Sequence, residues 1–214
     1  MKTLVTDCLK LVVITLVAGI VLGAVYGITK EPIAEQTKKA EQEAYKAVFP
    51  DAADFADVEG FTQEAASAVL AAYDNPIEDH QADVISAAVE ARDGSGNILG
   101  YIFNVTTSKG YGGDIQLTVG IQADGTVNGY SVLTIGETAG LGMNAKTNQA
   151  WADQYKGKKV DHFEVVKDGS GNLNAPAEDN SGIDAISGAT ITSKAVTGAM
   201  NSCLAYFQSL EGGK

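Results

Sequence analysis

Polar and apolar positions are distributed unevenly along the chain, and the first boundary falls at Lys10. Residues 11–29 (LVVITLVAGIVLGAVYGIT) carry no charge. As a helix rising about 1.5 Å per residue, this stretch reaches roughly 28 Å, close to the hydrocarbon thickness of a bilayer. It lacks the polar face that a core helix of a soluble protein keeps. It also lacks the A-x-A-like site that closes the shorter apolar region of a signal peptide. The pattern predicts a retained transmembrane helix over 11–29, preceded by a short tail (1–10). Gly19, Gly23 and Gly27 recur every four residues on one face of that helix, a spacing that lets another membrane helix approach closely. Residues 31–48 (EPIAEQTKKAEQEAYKAV) read as a polar helix with Pro32 near its first turn, a stalk within residues 30–50 that ends at Phe49-Pro50-Asp51. The Ala- and Asp-rich run from there to Asp83 follows no clear period.

From residue 84 the period shortens to two. Segments 84–92, 98–108, 114–122 and 127–135 are rich in Val, Ile, Thr and Tyr and are separated by DGSGN, KGYGG and ADGT, all turn-forming sequences. They predict an antiparallel meander of four strands. A helix is expected over 147–156, carrying Trp151 and Tyr155 at i, i+4, and a further strand over 163–167. The last element reads as a helix from Thr190 to about Leu210, with Ile191, Ala195, Ala199, Cys203 and Phe207 on one stripe, widened by Val196, Met200 and Leu204. Strands first and a closing helix across them make an α+β domain over 51–214: an antiparallel sheet packed by helices.

Charge narrows the function. The formal net charge is −12, with 27 acidic against 15 basic residues. This argues against nucleic acid as a partner, since neutralising phosphates needs clustered Lys and Arg. Two Cys and two His, with no CxxCH, leave no zinc Cys₄ site, iron–sulfur ligation or c-type haem. No metal ligand and no catalytic side chain is assigned, and an electron-handling role requires an organic cofactor. Lys2 and Lys10 place the N-terminal tail in the cytoplasm, so residues 30–214, with 26 of the 27 acidic residues, face the other side of the cell membrane. Cys8 and Cys203 then lie on opposite sides, and Cys203 reads as a small packed hydrophobe. His80 and His162 are isolated and receive no role.

Residues 184–190 (DAISGAT) stand at the entry to the final helix. Gly188 and Ala189 leave backbone N–H groups open to an anion, the helix start adds its partial positive charge, and Ser187, Thr190, Thr192 and Ser193 supply hydroxyls. Read on the residues alone, the same segment is more often an ordinary N-cap than an anion site. The pattern D-x-x-S-G-A-T resembles the flavinylation motif of the FMN-binding domain family. That domain is shared by the G subunit of Rnf-type ion-translocating oxidoreductases and the related C subunit of sodium-pumping NADH:quinone oxidoreductase. Residues 136–142 (GETAGLG) resemble the family's E-T-P-G-L-G loop, with Ala139 in place of the usual proline, and the single span followed by a KEPI stalk is similar to the Rnf protein.

That resemblance implies FMN esterified through its phosphate to the Thr190 hydroxyl. A separate flavin transferase would install it by reading the segment from Asp184 through Ser187, Gly188 and Ala189. It implies a flavin ring against Glu137, Thr138, Gly140 and Leu141, with Lys167 facing the cofactor. Tyr111 reads either as a stacking residue or as an exposed turn, and Trp151 as core. The implied assembly passes electrons between ferredoxin and NAD⁺ while moving Na⁺ or H⁺, with this chain as a membrane-bound relay subunit rather than a complete enzyme. A pilin-like protein, or a ligand-sensing ectodomain on one anchor, remains the reading from other classes.

Overall fold

The computed structural model of the chain describes residues 2–73 and 83–211. It divides into two units, Met1–Gln42 and Glu43–Lys214. His80 lies outside the described residues.

The first unit is helix, the larger part of α1 (Lys2–Val48), which is long and apolar enough to cross a membrane. Thr15 and Thr29 donate their hydroxyls back to the carbonyls of Leu11 and Val25 at 3.0 and 2.9 Å, so these polar groups carry their own acceptors in an apolar stretch. Pro32 sits inside α1 and not at a helix start. One helix serves as both apolar segment and polar continuation. The missing Pro32 N–H removes only the bond that the Ile28 carbonyl would otherwise accept.

The second unit is built on a five-stranded antiparallel sheet in the order β1 (Asp54–Asp57), β2 (Asp83–Arg92), β3 (Ile98–Gly110), β4 (Gly113–Gln122), β5 (Val127–Thr134). The four expected strands are present within two residues of their predicted ends. Asp93 closes the first turn by accepting from the backbone N–H of Ser95 and Asn97 at 2.8 and 2.9 Å. Alternation along the strands serves two cores. Tyr101, Phe103 and Val105 of β3 and Ile115, Leu117, Val119 and Ile121 of β4 point to the main core under α5 (Thr190–Glu211). Ile102 of β3, with Val89 and Ala91 of β2, points to the opposite face, where Val48 and Phe49 cover the sheet. Strand glycines make room there: a Cβ at Gly120 would fall 2.8 Å from Val48 Cβ. The second face of the sheet is therefore covered in part, around Val89, Ala91 and Ile102, by the end of the helix that the sequence pattern assigns to the stalk.

Several elements differ from expectation. The run before Asp83 supplies edge strand β1 and α2 (Gln63–Ala72), whose Thr62 cap accepts from Ala65 N at 3.1 Å. The single helix expected over 147–156 is three short turns: α3 (Asn144–Thr147), α4 (Gln149–Ala152) and a 3₁₀ turn (Asp153–Tyr155). Asn148 breaks it, because its extended backbone frees the side chain to cap α4 by accepting from Trp151 N. The strand expected over 163–167 is shorter, β6 (Glu164–Val166). It pairs in parallel with β7 (Gly182–Asp184), which ends at Asp184, the first residue of the segment read as the helix entry. On α5, Ala195, Ala199, Cys203 and Phe207 are buried as expected, but Ile191 is 54% exposed.

Candidate flavin-binding cleft

Three segments distant in sequence meet at the start of α5 and enclose a cleft of about 540 Å³, within the range of small-molecule sites. Tyr111, at the turn between β3 and β4, forms one wall. Glu137, Thr138, Leu141 and Gly142, in the loop after β5, form the second. Gly188, Ala189, Thr190, Ile191 and Thr192 form the third.

The third wall is shaped by a turn over 186–189, closed by Ala189 N donating to Ile186 O at 2.9 Å, with Gly188 at φ 74°. That φ suits glycine and strains a residue bearing a Cβ. The Ser193 hydroxyl staples the turn from below: it accepts from Ile186 N at 2.9 Å and donates to Ala189 O at 3.0 Å. Ala189 ends the helix with a methyl group, which offers no capping acceptor. Among the described residues, the first-turn N–H groups of Thr190, Ile191 and Thr192 consequently have no hydrogen-bond partner. They form an open anion site at the positive end of a long helix. The Thr190 hydroxyl, half-buried, likewise has no partner among the described residues.

The second wall docks tightly on the third. A Cβ at Gly142 would fall 2.5 Å from Glu137 Oε2 and 2.5 Å from Thr192 Oγ1. Glu137 is 6% exposed, and its Oε1 accepts from Gly112 N at 3.2 Å, which ties the loop to the β3–β4 turn. Tyr111, Leu141 and Ile191 stay 73%, 43% and 54% exposed around the mouth. They make an apolar rim opposite a cluster of backbone donors.

The structure brings Glu137, Thr138, Leu141, Gly188, Ala189 and Thr190 to one cleft, but not every expected site residue. Gly140 shapes the loop at φ 75° without lining the cleft, and Ser187 is exposed outside it. Lys167 is exposed just beyond β6, also away from the cleft. Thr192 and Ser193 are buried, one against Gly142 and one in the turn. Asp184 is a clamp: its carboxylate accepts from Gly171 N at 3.2 Å and Leu173 N at 3.1 Å. Its backbone is gripped by Trp151 Nε1, donating to Asp184 O at 2.7 Å, and by Gln154 Oε1, accepting from Asp184 N at 2.8 Å. The helical period includes Ile191 and so predicts a packing residue there. The signal against it is its place one residue after Thr190, in a turn that the sheet does not yet cover.

An aromatic phosphate ester suits this donor set: N–H groups and a hydroxyl for a phosphate, and an apolar rim for a flat ring. The comparison with known proteins agrees at the level of class. Residues 110–205 match the FMN-binding domain family. Over almost its whole length the chain is 33% identical to the G subunit of the Na⁺-translocating ferredoxin:NAD⁺ oxidoreductase complex of Acetobacterium woodii, covering 94% of this chain and 90% of that protein. It is 32% identical to the G subunit of the proton-translocating ferredoxin:NAD⁺ oxidoreductase complex of Clostridium ljungdahlii, covering 96% and 92%. It is 34% identical to the G subunit of the ion-translocating oxidoreductase complex of Methanosarcina acetivorans, covering 95% and 96%. The chain belongs to the family that these three proteins represent.

Proposed function

We propose that this chain is the membrane-anchored electron-relay subunit of an Rnf-type ferredoxin:NAD⁺ oxidoreductase that translocates Na⁺ or H⁺. It works beside the other subunits of that complex and holds FMN in the cleft between the 137–142 loop and the start of α5. FMN supplies one- and two-electron chemistry when bound. The Thr190 hydroxyl carries it as a phosphodiester, installed by a flavin transferase. The first-turn N–H groups of Thr190, Ile191 and Thr192 hold the remaining phosphate charge. Ala189 and Gly188 let the phosphate approach the backbone, while Thr138, Leu141 and Tyr111 flank the ring. Residues 11–29 span the membrane, with the 1–10 tail in the cytoplasm, residues 30–50 as stalk and 51–214 outside.

One observation carries the covalent assignment. Of the four hydroxyls near the turn, among the described residues only those of Thr190 and Thr192 line the cleft, and Thr190 is half-buried beside the open helix terminus while Thr192 is 1% exposed. The test is in-gel flavin fluorescence after denaturing electrophoresis, with the full chain co-expressed with a flavin transferase. Fluorescence should survive denaturation, persist in Thr190→Ser and vanish in Thr190→Val. Fluorescence retained by Thr190→Val would place the ester elsewhere.

A further inference from the structure

The start of α5 gathers positive charge on its solvent side. The first-turn N–H groups of Thr190, Ile191 and Thr192 are open among the described residues, and no acidic residue lies in the first turn. Lys194, the one basic residue of α5, adds a full charge one turn further on. It is exposed, and among the described residues it forms no ion pair. At about 100° per residue it stands about 40° around the helix from Thr190 and about 60° from Ile191, with its Cα about 6 Å along the axis from that of Thr190. Helical side chains lean toward the N-terminus, so its four-carbon stem carries the ammonium back toward the Thr190 hydroxyl. The other charges are placed differently. Glu137, the one acidic side chain of the cleft wall, adjoins Thr192, about 160° around the helix from Lys194, and its Oε1 accepts from Gly112 N at 3.2 Å. Lys109 is tied to Asp83 at 3.5 Å, and Lys167, the expected cation, lies away from the cleft. A cation reaching back over the positive end of a helix is unfavourable until an anion occupies that end.

We propose that Lys194 is the counter-ion of the flavin phosphate, a positioning residue that closes the solvent side of the anion site. The proposal rests on FMN occupying this cleft. The N–H groups of Thr190, Ile191 and Thr192 take phosphate oxygens at the helix end, and the Lys194 ammonium takes the oxygen that faces the mouth. Riboflavin, which has the same ring and sugar chain but no phosphate, gains nothing from that ammonium. Lys194 therefore favours the phosphorylated flavin over the unphosphorylated one. Once the ester is formed, it fixes which phosphate oxygen faces solvent.

The test uses full-length protein in detergent, as wild type, Lys194→Gln and Lys194→Arg. In chains expressed without the transferase, binding of FMN and of riboflavin is followed through flavin fluorescence. The preference for FMN over riboflavin should fall about 2- to 5-fold in Lys194→Gln, the range of an exposed ion pair, and return in Lys194→Arg. The difference between wild type and Lys194→Gln should fade in high salt, which a packing role would not produce. In matured, flavin-loaded protein the phosphorus-31 resonance of the ester should move in Lys194→Gln and move less in Lys194→Arg. This second readout decides the matter where the unmodified chain binds both flavins too weakly to measure. An unchanged preference for FMN, or one ester resonance shared by wild type and Lys194→Gln, would overturn the proposal. A wild type that carries no flavin after maturation would instead overturn the occupancy of the cleft.

Discussion

Asp184 offers a test of whether the motif's first residue is a structural clamp or a surface feature. Replacing it with Ala removes the acceptor of two backbone N–H groups, Gly171 N at 3.2 Å and Leu173 N at 3.1 Å, at a site where Asp184 is 7% exposed. Each buried donor left without a partner costs about 1–3 kcal/mol, so Asp184→Ala should destabilise the domain by about 2–6 kcal/mol. For a chain of this size, about 2–4 °C per kcal/mol gives a drop in Tm of about 4–24 °C. Asp184→Asn keeps one carbonyl acceptor and should fall between Ala and wild type. The assay is urea unfolding followed by tryptophan fluorescence. Trp151 is the chain's one tryptophan, 3% exposed, and its Nε1 donates to Asp184 O at 2.7 Å, so its emission reports on this joint. Flavin incorporation is measured in parallel. A stability loss under about 1 kcal/mol together with abolished flavin incorporation would refute the clamp and make Asp184 a recognition contact for the transferase.

Phe49→Ala should destabilise the domain by about 3–5 kcal/mol in the same unfolding assay, because the ring is 4% exposed and fills the space over Gly100 and Gly120. The Cys203 thiol is pushed well above its ordinary pKa by burial and then by the Asp83 carboxylate, so it should resist maleimide in the folded protein and react on unfolding, while exposed Cys8 reacts at once. Hydrogen bonds lower the carboxyl pKa of Asp93 through the Asn97 side chain, of Asp124 through Thr126 N and of Asp168 through the Ser170 hydroxyl. The stability these turns contribute is therefore full above the unfolded carboxylate pKa, about 3.9, and is lost as pH falls through the lower folded values. Acid-unfolding curves of Asp93→Asn and Asp124→Asn should be shallower than wild type in that window; unchanged curves would count against the assignment.

The legible parts of the fold are those with local causes. The strands of the meander announce themselves by alternation between turn sequences, and α5 by its apolar stripe. β1 and β7 are three or four residues long, too short for a period, and exist because a neighbouring strand offers them hydrogen bonds. The expected helix over 147–156 fails at Asn148, where helix propensity on both sides gives way to a side-chain cap. Phe49 reads as the end of a stalk and is a core residue, because the sheet face that it covers is created by glycines fifty and seventy residues later in the chain.

The same division holds at the cleft. Sequence alone determined that a long apolar helix precedes an α+β domain, and that a turn of small and hydroxylated residues opens the final helix. These depend on composition and spacing over one or two turns. Only the tertiary structure decided which of those hydroxyls is available. Adjacent residues of a helix point about 100° apart, so packing of α5 turns Ser193 into the turn and Thr192 against Gly142, and leaves Thr190 toward the cleft. It also placed the buried Glu137 and the exposed ring of Tyr111 on the same cleft as that hydroxyl, through strand pairings that no local pattern records.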